Sequence, residues 1–319
     1  MSAARLAESA QRPPAILLMG PTAVGKTELA IELHERFGVE PISVDSALVY
    51  RGLDIGTAKP SATDLARAPH RLIDIRDPGS PYSGVAFRHD ALECIDDIQR
   101  RGAVPLLVGG TMLYFRLLLE GAATMPSADP LVRAELEALL ERGGSKALHE
   151  ALARVDPESA ARLHPNDPQR LMRALEVYRS SGEPIGAHWR RQAPVELPFT
   201  PVPVALIPED RALLHQRIDK RLAAMFDNGF VEEVEGLRAR GDLTPDLPAL
   251  KSVGYRQVWE GLDRGDTRPQ MQYRALAATR QLAKRQITWL RRWPHARRLD
   301  PLTPGVARTL SKIVRNIST

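Results

Sequence analysis

Cysteine is nearly absent: Cys94 stands alone in 319 residues. No intrachain disulfide can form, which excludes a disulfide-stapled scaffold and points to a reducing compartment. Long apolar runs are missing as well. The longest near the N-terminus, Ala15 to Met19, is too short for a membrane span or a signal h-region. The expectation is a soluble, cytoplasmic protein with no membrane partner. There is no internal repeat and no low-complexity tract. Apolar residues make up 43% and charged residues 26%, which sets aside disordered and collagen-like classes. The length is enough for roughly two domains and a sizeable core.

A further absence is local. Between Thr267 and Leu299 there is no Asp or Glu against nine Lys or Arg. From Lys251 to Thr319 the net charge is +11, whereas residues 1–250 carry −6. A merely solvated helix face usually mixes signs through i,i+4 pairs. This stretch has no acids of its own to pair with, so it implies a polyanionic partner, a nucleic acid.

Short apolar runs alternate with helical patterns over the first 120 residues. Ala15–Met19, Glu40–Val44, Leu72–Ile75 and Val104–Val108 read as buried strands bounded by Gly, Pro, Asp or Ser. Thr27–Phe37 and Tyr82–Arg101 read as helices. The alternation predicts an α/β layer with a parallel sheet. Val202–Ile207 reads as a strand of the same sheet, returning after an interruption. That interruption, residues 125–198, is rich in Ala, Leu, Glu and Arg, and Asp–Pro opens a helix in it three times, at 129–130, 156–157 and 167–168. Asp caps free amides, and Pro at the first helical position wastes no donor. Gly182 falls where a helix C-cap belongs. The fold class expected is therefore a P-loop NTPase-like parallel α/β sheet flanked by helices, with an all-helical insertion domain. The expected divisions are 1–124, 125–198 and 199–319, the last holding helices over Arg211–Phe226, Gly229–Arg240 and about Pro269–Trp293.

The strongest chemical signal is Gly20-Pro21-Thr22-Ala23-Val24-Gly25-Lys26-Thr27. It fits G-x-x-x-x-G-K-[ST], follows a strand and opens a helix, as a P-loop must. Backbone amides converge on a phosphate, the helix N-terminus adds its positive end, Lys26 adds a charge, and the Thr27 hydroxyl can hold Mg²⁺. A chance match in a chain of this length is about one in a hundred. The ligand is thus a di- or triphosphate. A nucleoside-triphosphate hydrolase also wants an acid at the end of a later strand. Val104–Val108 ends instead in Gly109-Gly110-Thr111, which suits an enzyme that grips a diphosphate as leaving group.

Asp45, in Ser43-Val44-Asp45-Ser46, lies at the carboxyl edge of the sheet beside the P-loop, where open α/β sheets bind ligands. It can act as base, metal ligand or substrate anchor, or be a turn residue. Thr111 is a second hydroxyl at that edge. Asp74 and Asp77 read as turn or capping residues. In the insert, Leu171 and Leu175 face a core, while Gln169 and Arg173 share a polar face. Lys251-Ser252-Val253-Gly254-Tyr255-Arg256 juxtaposes small, aromatic and basic residues, as RNA-contacting loops often do. On the acid-free helix, Leu276, Ala283, Ile287 and Leu290 form a core face. Arg280, Lys284, Thr288 and Arg291 form a stripe able to track a phosphate backbone. Trp289 and Trp293 read as packing residues.

Taken together, G-P-T-A-V-G-K-T, S-V-D-S, L-L-V-G-G-T, D-P-Q-R-L-M-R-A-L-E, S-V-G-Y-R-Q and T-R-Q-L-A-K-R-Q-I-T-W-L-R resemble the tRNA dimethylallyltransferases, also called tRNA isopentenyltransferases. The resemblance runs collinearly from about Ile16 to Trp293. It implies transfer of a dimethylallyl group from dimethylallyl diphosphate to N6 of the adenine just 3′ of the anticodon, with Mg²⁺. By the same resemblance, Gly20 and Thr22 to Thr27 bind the diphosphate together with Arg217 and Arg221. Lys26 is the electrostatic clamp, Thr27 the metal ligand, Asp45 the acceptor of the N6 proton, and Thr111 a catalytic partner. Contacts to the tRNA anticodon stem-loop fall to Asp45, Ser46, Ala47 and Leu48, to Thr111 and Arg133, and to Gln169, Arg170, Leu171, Met172 and Arg173. Lys251 to Arg256, Arg280, Lys284 and Arg285 complete them. Val24 stands where Ser or Thr is frequent and Ser252 where many relatives have Cys; neither departure changes the reaction that the resemblance implies. A monomer is compatible with a basic surface of tRNA size.

Two other readings use the same residues. A small-molecule or nucleotide kinase also has a P-loop and often an Asp after its second strand, but it needs no +11 C-terminal region. A nucleotide-gated RNA-binding protein would bind RNA without forming product.

Overall fold

The computed structural model describes residues 12–126, 129–293 and 295–317. It divides into two compact units, residues 12–119 with 196–317 in one and Glu120–Val195 in the other.

The first unit is built on a sheet of β1 (Pro14–Met19), β2 (Glu40–Val44), β3 (Pro105–Gly109), β4 (Thr200–Leu206) and β5 (Arg297–Leu299). The order is β2-β3-β1-β4-β5 and every pairing is parallel. β1 lies in the middle, with Ile16 opposite Leu106 on one side and Val202 on the other. Its side chains divide by the twofold repeat of a strand: Ala15, Leu17 and Met19 enter one apolar cluster, Ile16 and Leu18 another. A strand buried on both faces must be continuously apolar, which explains the unbroken run in the sequence.

Helices α1 (Lys26–Phe37), α2 (Ala62–Arg67), α3 (Gly84–Arg100) and α4 (Met112–Glu120) belong to the first half. After the insertion come α9 (Arg211–Asp227), α10 (Phe230–Ala239), α11 (Tyr255–Arg264), α12 (Arg268–Arg291) and α13 (Val306–Ile317). Of the expected core face of α12, Ala283, Ile287 and Leu290 are buried and Leu276 is half-buried against the same clusters. Leu310, Ile313 and Val314 of α13 follow the i, i+3, i+4 rule and pack into the cluster that holds Ile16 and Leu18. The sequence reading found neither α13 nor β5.

One expected strand is absent. Leu72–Ile75 contributes only isolated bridges around it, Ile42 to Arg71 and Tyr50 to Arg76. Leu72 and Asp74 both take left-handed backbone conformations, at φ 63° and 56°, and these break the extended run. Val104–Val108 therefore corresponds to the third strand of the sheet.

The second unit holds α5 (Pro130–Val155), α6 (Pro157–Arg162), α7 (Pro168–Ser181) and α8 (Ile185–Arg191). Each Asp–Pro start is a cap. Asp129, Asp156 and Asp167 accept from the amides of Leu131, Ser159 and Arg170 at 2.9, 3.0 and 3.2 Å. Each such cap stabilises its helix by about 1 kcal/mol. Gly182 ends α7 as predicted. α5 is interrupted at Gly144. Leu136, Leu148, Leu152, Leu171 and Leu175 close a small core of the unit's own.

Candidate active site

The Gly20–Thr27 segment is the turn that joins β1 to α1. Gly25 is the N-cap of α1 at φ 90°, a conformation open to glycine, and no side chain caps the helix. Its first-turn amides are left for an anion, at the positive end of the helix. Lys26 folds back across the turn and donates from Nζ to the carbonyls of Pro21 at 2.7 Å and Gly20 at 3.0 Å. Burial pulls its pKa from 10.5 down to about 8, against the opposing pull of the Asp45 carboxylate. The Thr27 hydroxyl makes no hydrogen bond to the protein among the described residues. A hard oxygen donor at this place fits Mg²⁺, which takes few protein ligands and leaves the rest to water and phosphate oxygens.

α9 brings two cations, Arg217 and Arg221, to the same turn. Arg221 donates from Nη2 to the Thr22 hydroxyl, and Arg217 reaches the Val24 carbonyl at 3.5 Å. Burial lowers the Arg221 pKa, and the Asp45 carboxylate opposes that shift. These groups line a cleft of about 580 Å³ with Lys26, Thr27, Lys59, Asp64 and Pro301. Lys59 belongs to no motif legible in the sequence, and its ammonium is already engaged. It donates to the Tyr50 carbonyl at 2.9 Å and to the carboxylates of Asp54 and Asp74. The segment carrying it hangs on one side chain. Glu233 accepts the amides of Asp54, Ile55 and Gly56 at 3.0, 2.7 and 3.1 Å, and the Tyr255 hydroxyl at 2.5 Å.

Asp45 follows β2 at the carboxyl edge. Its Oδ1 accepts the amides of Ala47 at 2.9 Å and Leu48 at 3.3 Å, a local turn that fixes the carboxylate. Its Oδ2 has no hydrogen bond to the protein among the described residues. Thr111, after β3, accepts the Ser46 amide on its hydroxyl at 3.1 Å. It thus braces the residue next to Asp45. A further buried group joins the two halves of this edge. Gln286 of α12 accepts the Thr22 amide at 2.9 Å and donates to the Gly110 carbonyl at 2.9 Å. Sequence reasoning passed over it because a glutamine in a basic helix reads as surface.

The expected RNA-contacting residues separate into groups. Ser46 is exposed, with Ala47 and Leu48 half-buried beside it. Lys284 and Arg285 are exposed on α12 and have no acidic partner within 4 Å among the described residues. Lys251 and Arg256 are exposed but paired, with Asp246 at 3.3 Å and Glu260 at 2.7 Å. In the second unit Gln169 and Arg170 are exposed, while Arg133 and Arg173 meet the buried Glu176 at 2.9 and 3.5 Å.

Four corrections follow. Leu171 and Met172 are buried in their own unit's core and offer an RNA no side-chain surface. Tyr255 is fully buried, set edge-on against Phe230, with its hydroxyl on Glu233. Gly254, before it, is buried as well. The acid-free stretch does find acids outside it: Arg280 meets Asp219 at 2.6 Å and Arg268 meets Glu232 at 3.6 Å, both from other helices, and Arg274 meets Asp266, just before the stretch, at 3.3 Å. Free positive charge is therefore concentrated toward the C-terminal half of α12.

Residues 48–293 match the family model for IPP transferase. Among solved structures, the full-length tRNA isopentenylpyrophosphate transferase of Bacillus halodurans is 33% identical, over 97% of this chain and 98% of that one, with a TM-score of 0.69. The tRNA delta(2)-isopentenylpyrophosphate transferase of Staphylococcus epidermidis is 34% identical, over 96% and 99%, with a TM-score of 0.68. A eukaryotic dimethylallyltransferase acting on tRNA is 26% identical, over 94% and 78%, with a TM-score of 0.76.

Proposed function

The chain belongs to the IPP transferase family and is a tRNA prenyltransferase; from that premise we propose how its residues divide the reaction. The donor is dimethylallyl diphosphate, and its diphosphate lies on the first-turn amides of α1 under Lys26, Arg217 and Arg221. The acceptor is the N6 amine of the adenine 3′-adjacent to the anticodon. In the transfer the allylic C1–O bond breaks, the C1–N6 bond forms, diphosphate departs and one N6 proton moves to Asp45 Oδ2. The observation that carries this division is the state of that carboxylate: Oδ1 is tied to two amides and Oδ2 is open.

Each part has a physical reason. An exocyclic amine is a weak nucleophile, so most of the barrier must be removed at the leaving group. Charge builds on the diphosphate as C1–O breaks, and pre-oriented amides and cations in a half-buried cleft stabilise that charge without reorganising. Mg²⁺, held by Thr27, would neutralise part of the same charge when bound. Asp45 holds the amine and removes its proton as the new bond forms. Thr111, through Ser46, keeps that carboxylate at the edge. The adenine must leave its stack to reach Oδ2, so base flipping accompanies binding. Lys284 and Arg285 supply charge for the anticodon stem-loop backbone. The kinase reading is not favoured: β3 ends without a carboxylate, and the whole-chain matches are tRNA transferases.

The test is one incubation of the protein with Mg²⁺, labelled dimethylallyl diphosphate and unmodified tRNA carrying adenine at the third anticodon position and just 3′ of it. Digestion and mass analysis should find N6-dimethylallyladenosine at the second of these positions. Label on AMP, ADP or ATP instead would overturn the acceptor assignment. No adduct on any of them would overturn the donor.

A further inference from the structure

Gln286 makes two bonds that few other side chains could make together. Its carboxamide accepts the Thr22 amide through Oε1 and donates from Nε2 to the Gly110 carbonyl, each at 2.9 Å. A glutamate lacks the donor and a methionine lacks both functions. The fit is close on the far side: a Cβ on Gly110 would lie 2.5 Å from Gln286 Nε2. The surrounding helix needs no help from this residue, since Ala283, Ile287 and Leu290 already anchor α12.

What the two bonds connect is informative. Thr22 lies in the turn that cradles the diphosphate, and its hydroxyl receives Arg221. Gly110 precedes Thr111, whose hydroxyl holds the Ser46 amide beside Asp45. A side-chain path from leaving group to base therefore runs through this carboxamide, beside the backbone bonds from the Gly20 amide to the Gly109 carbonyl at 3.2 Å and from the Thr111 amide to the Val44 carbonyl at 3.3 Å. Gln286 is also one residue beyond Arg285 and two beyond Lys284, two exposed cations of the same helix.

Resting on the donor and base assignments above, we propose that Gln286 is a positioning residue for prenyl transfer. It sets the separation between the diphosphate cradle and the Asp45 carboxylate, and it ties both to the helix that carries Lys284 and Arg285. It touches neither substrate. Its loss leaves each binding site formed but misaligned with the other.

The experiment compares Gln286→Met, Gln286→Glu and Gly110→Ala in the full-length enzyme. Single-turnover transfer, donor KM, tRNA Kd and thermal melting are measured on each. For Gln286→Met the expected result is a loss on the order of 10²-fold in the single-turnover rate. Donor KM and tRNA Kd should each stay within about threefold, which separates alignment from binding. Gln286→Glu keeps the acceptor for Thr22 and should fall between Met and wild type. Gly110→Ala presses on the carboxamide at 2.5 Å and on the Gly20 carbonyl at 3.2 Å, so it should lower the single-turnover rate as far and raise donor KM as well. If the Met variant does not fold, the Glu variant carries the comparison. Wild-type rates in the folded variants would overturn the proposal. So would a parallel fall in rate, affinity and melting temperature in the Gln286 variants, the mark of a purely structural residue. Wild-type enzyme that forms no N6-prenyl adenosine would sink the donor and acceptor assignments, a different failure from variants that match a working wild type.

Discussion

Replacing Asp45 by Asn separates the two duties of that side chain. In the structure Oδ1 serves the backbone turn at 2.9 and 3.3 Å, while Oδ2 is unengaged. An Asn side chain keeps the first duty, because its carbonyl oxygen can accept the same two amides. Its Nδ2 then takes the place of Oδ2 and cannot accept a proton. Folding stability should change by less than about 0.5 kcal/mol, as at a site where no mechanism of damage operates. The single-turnover rate should fall roughly 10²- to 10⁴-fold, the usual worth of a positioned general base. That corresponds to about 3 to 5 kcal/mol of barrier. A smaller effect accompanies it. The Asp45 charge raises the pKa of Lys26, so its removal should push that pKa further below about 8 and weaken donor binding first at alkaline pH. Asp45→Ala is the companion variant: it loses the turn as well and should cost about 1 kcal/mol more stability. The assay is rapid-quench transfer to tRNA at saturating donor, with urea denaturation alongside. Asp45→Asn at near-normal rate with intact tRNA binding would refute the base assignment; a collapse in its stability would refute the division of the carboxylate.

Four further outcomes are expected. Lys26 must be charged to hold the diphosphate, so donor affinity should fall about tenfold per pH unit above about pH 8; calorimetry in buffers of different ionisation enthalpy should find proton uptake there, and a flat profile to pH 10 would refute it. The same depressed pKa has a sign for folding. Between about pH 8 and 10.5 the unfolded chain binds a proton that the folded one does not, so Lys26 makes stability rise with pH across that window, and Lys26→Met should remove that rise. Glu233→Ala strands three amides and the Tyr255 hydroxyl and should cost on the order of 3 kcal/mol in urea denaturation, whereas a loss below about 1 kcal/mol would show that water replaces the carboxylate. Lys284→Ala should reduce the slope of log tRNA affinity against log salt by about 0.8, with donor KM unchanged; an unchanged slope would remove Lys284 from the RNA contacts.

Local rules made much of this legible in advance. The P-loop is a contiguous motif whose conformation follows from its glycines and helix start, and the Asp–Pro caps are equally local. The core face of α12 follows from its period. What escaped the sequence depends on partners distant in the chain. Gln286 is remarkable in no window; its meaning comes from Thr22 and Gly110, which fold against it. Tyr255 looked like an RNA platform until Phe230 and Glu233 arrived around it. The unpaired charge of α12 was overstated for the same reason, because Asp219 and Glu232 come from α9 and α10. Leu72–Ile75 failed for a local cause of another kind: left-handed residues outside glycine leave no mark on composition.

The position of β1 has a consequence for how the chain is made. Its partner on one side, β4, lies about 185 residues downstream, beyond the whole of the second unit. At ribosomal speeds of about 5–20 residues per second, β1 waits roughly 10–40 s for that neighbour. Throughout that interval it is a wholly apolar strand with a bare edge, the kind of surface that recruits other chains. The second unit, with a core of its own, has no such wait. The hazard in producing this protein therefore runs until β4 is made, and chains stopped before it should aggregate more than the full-length chain.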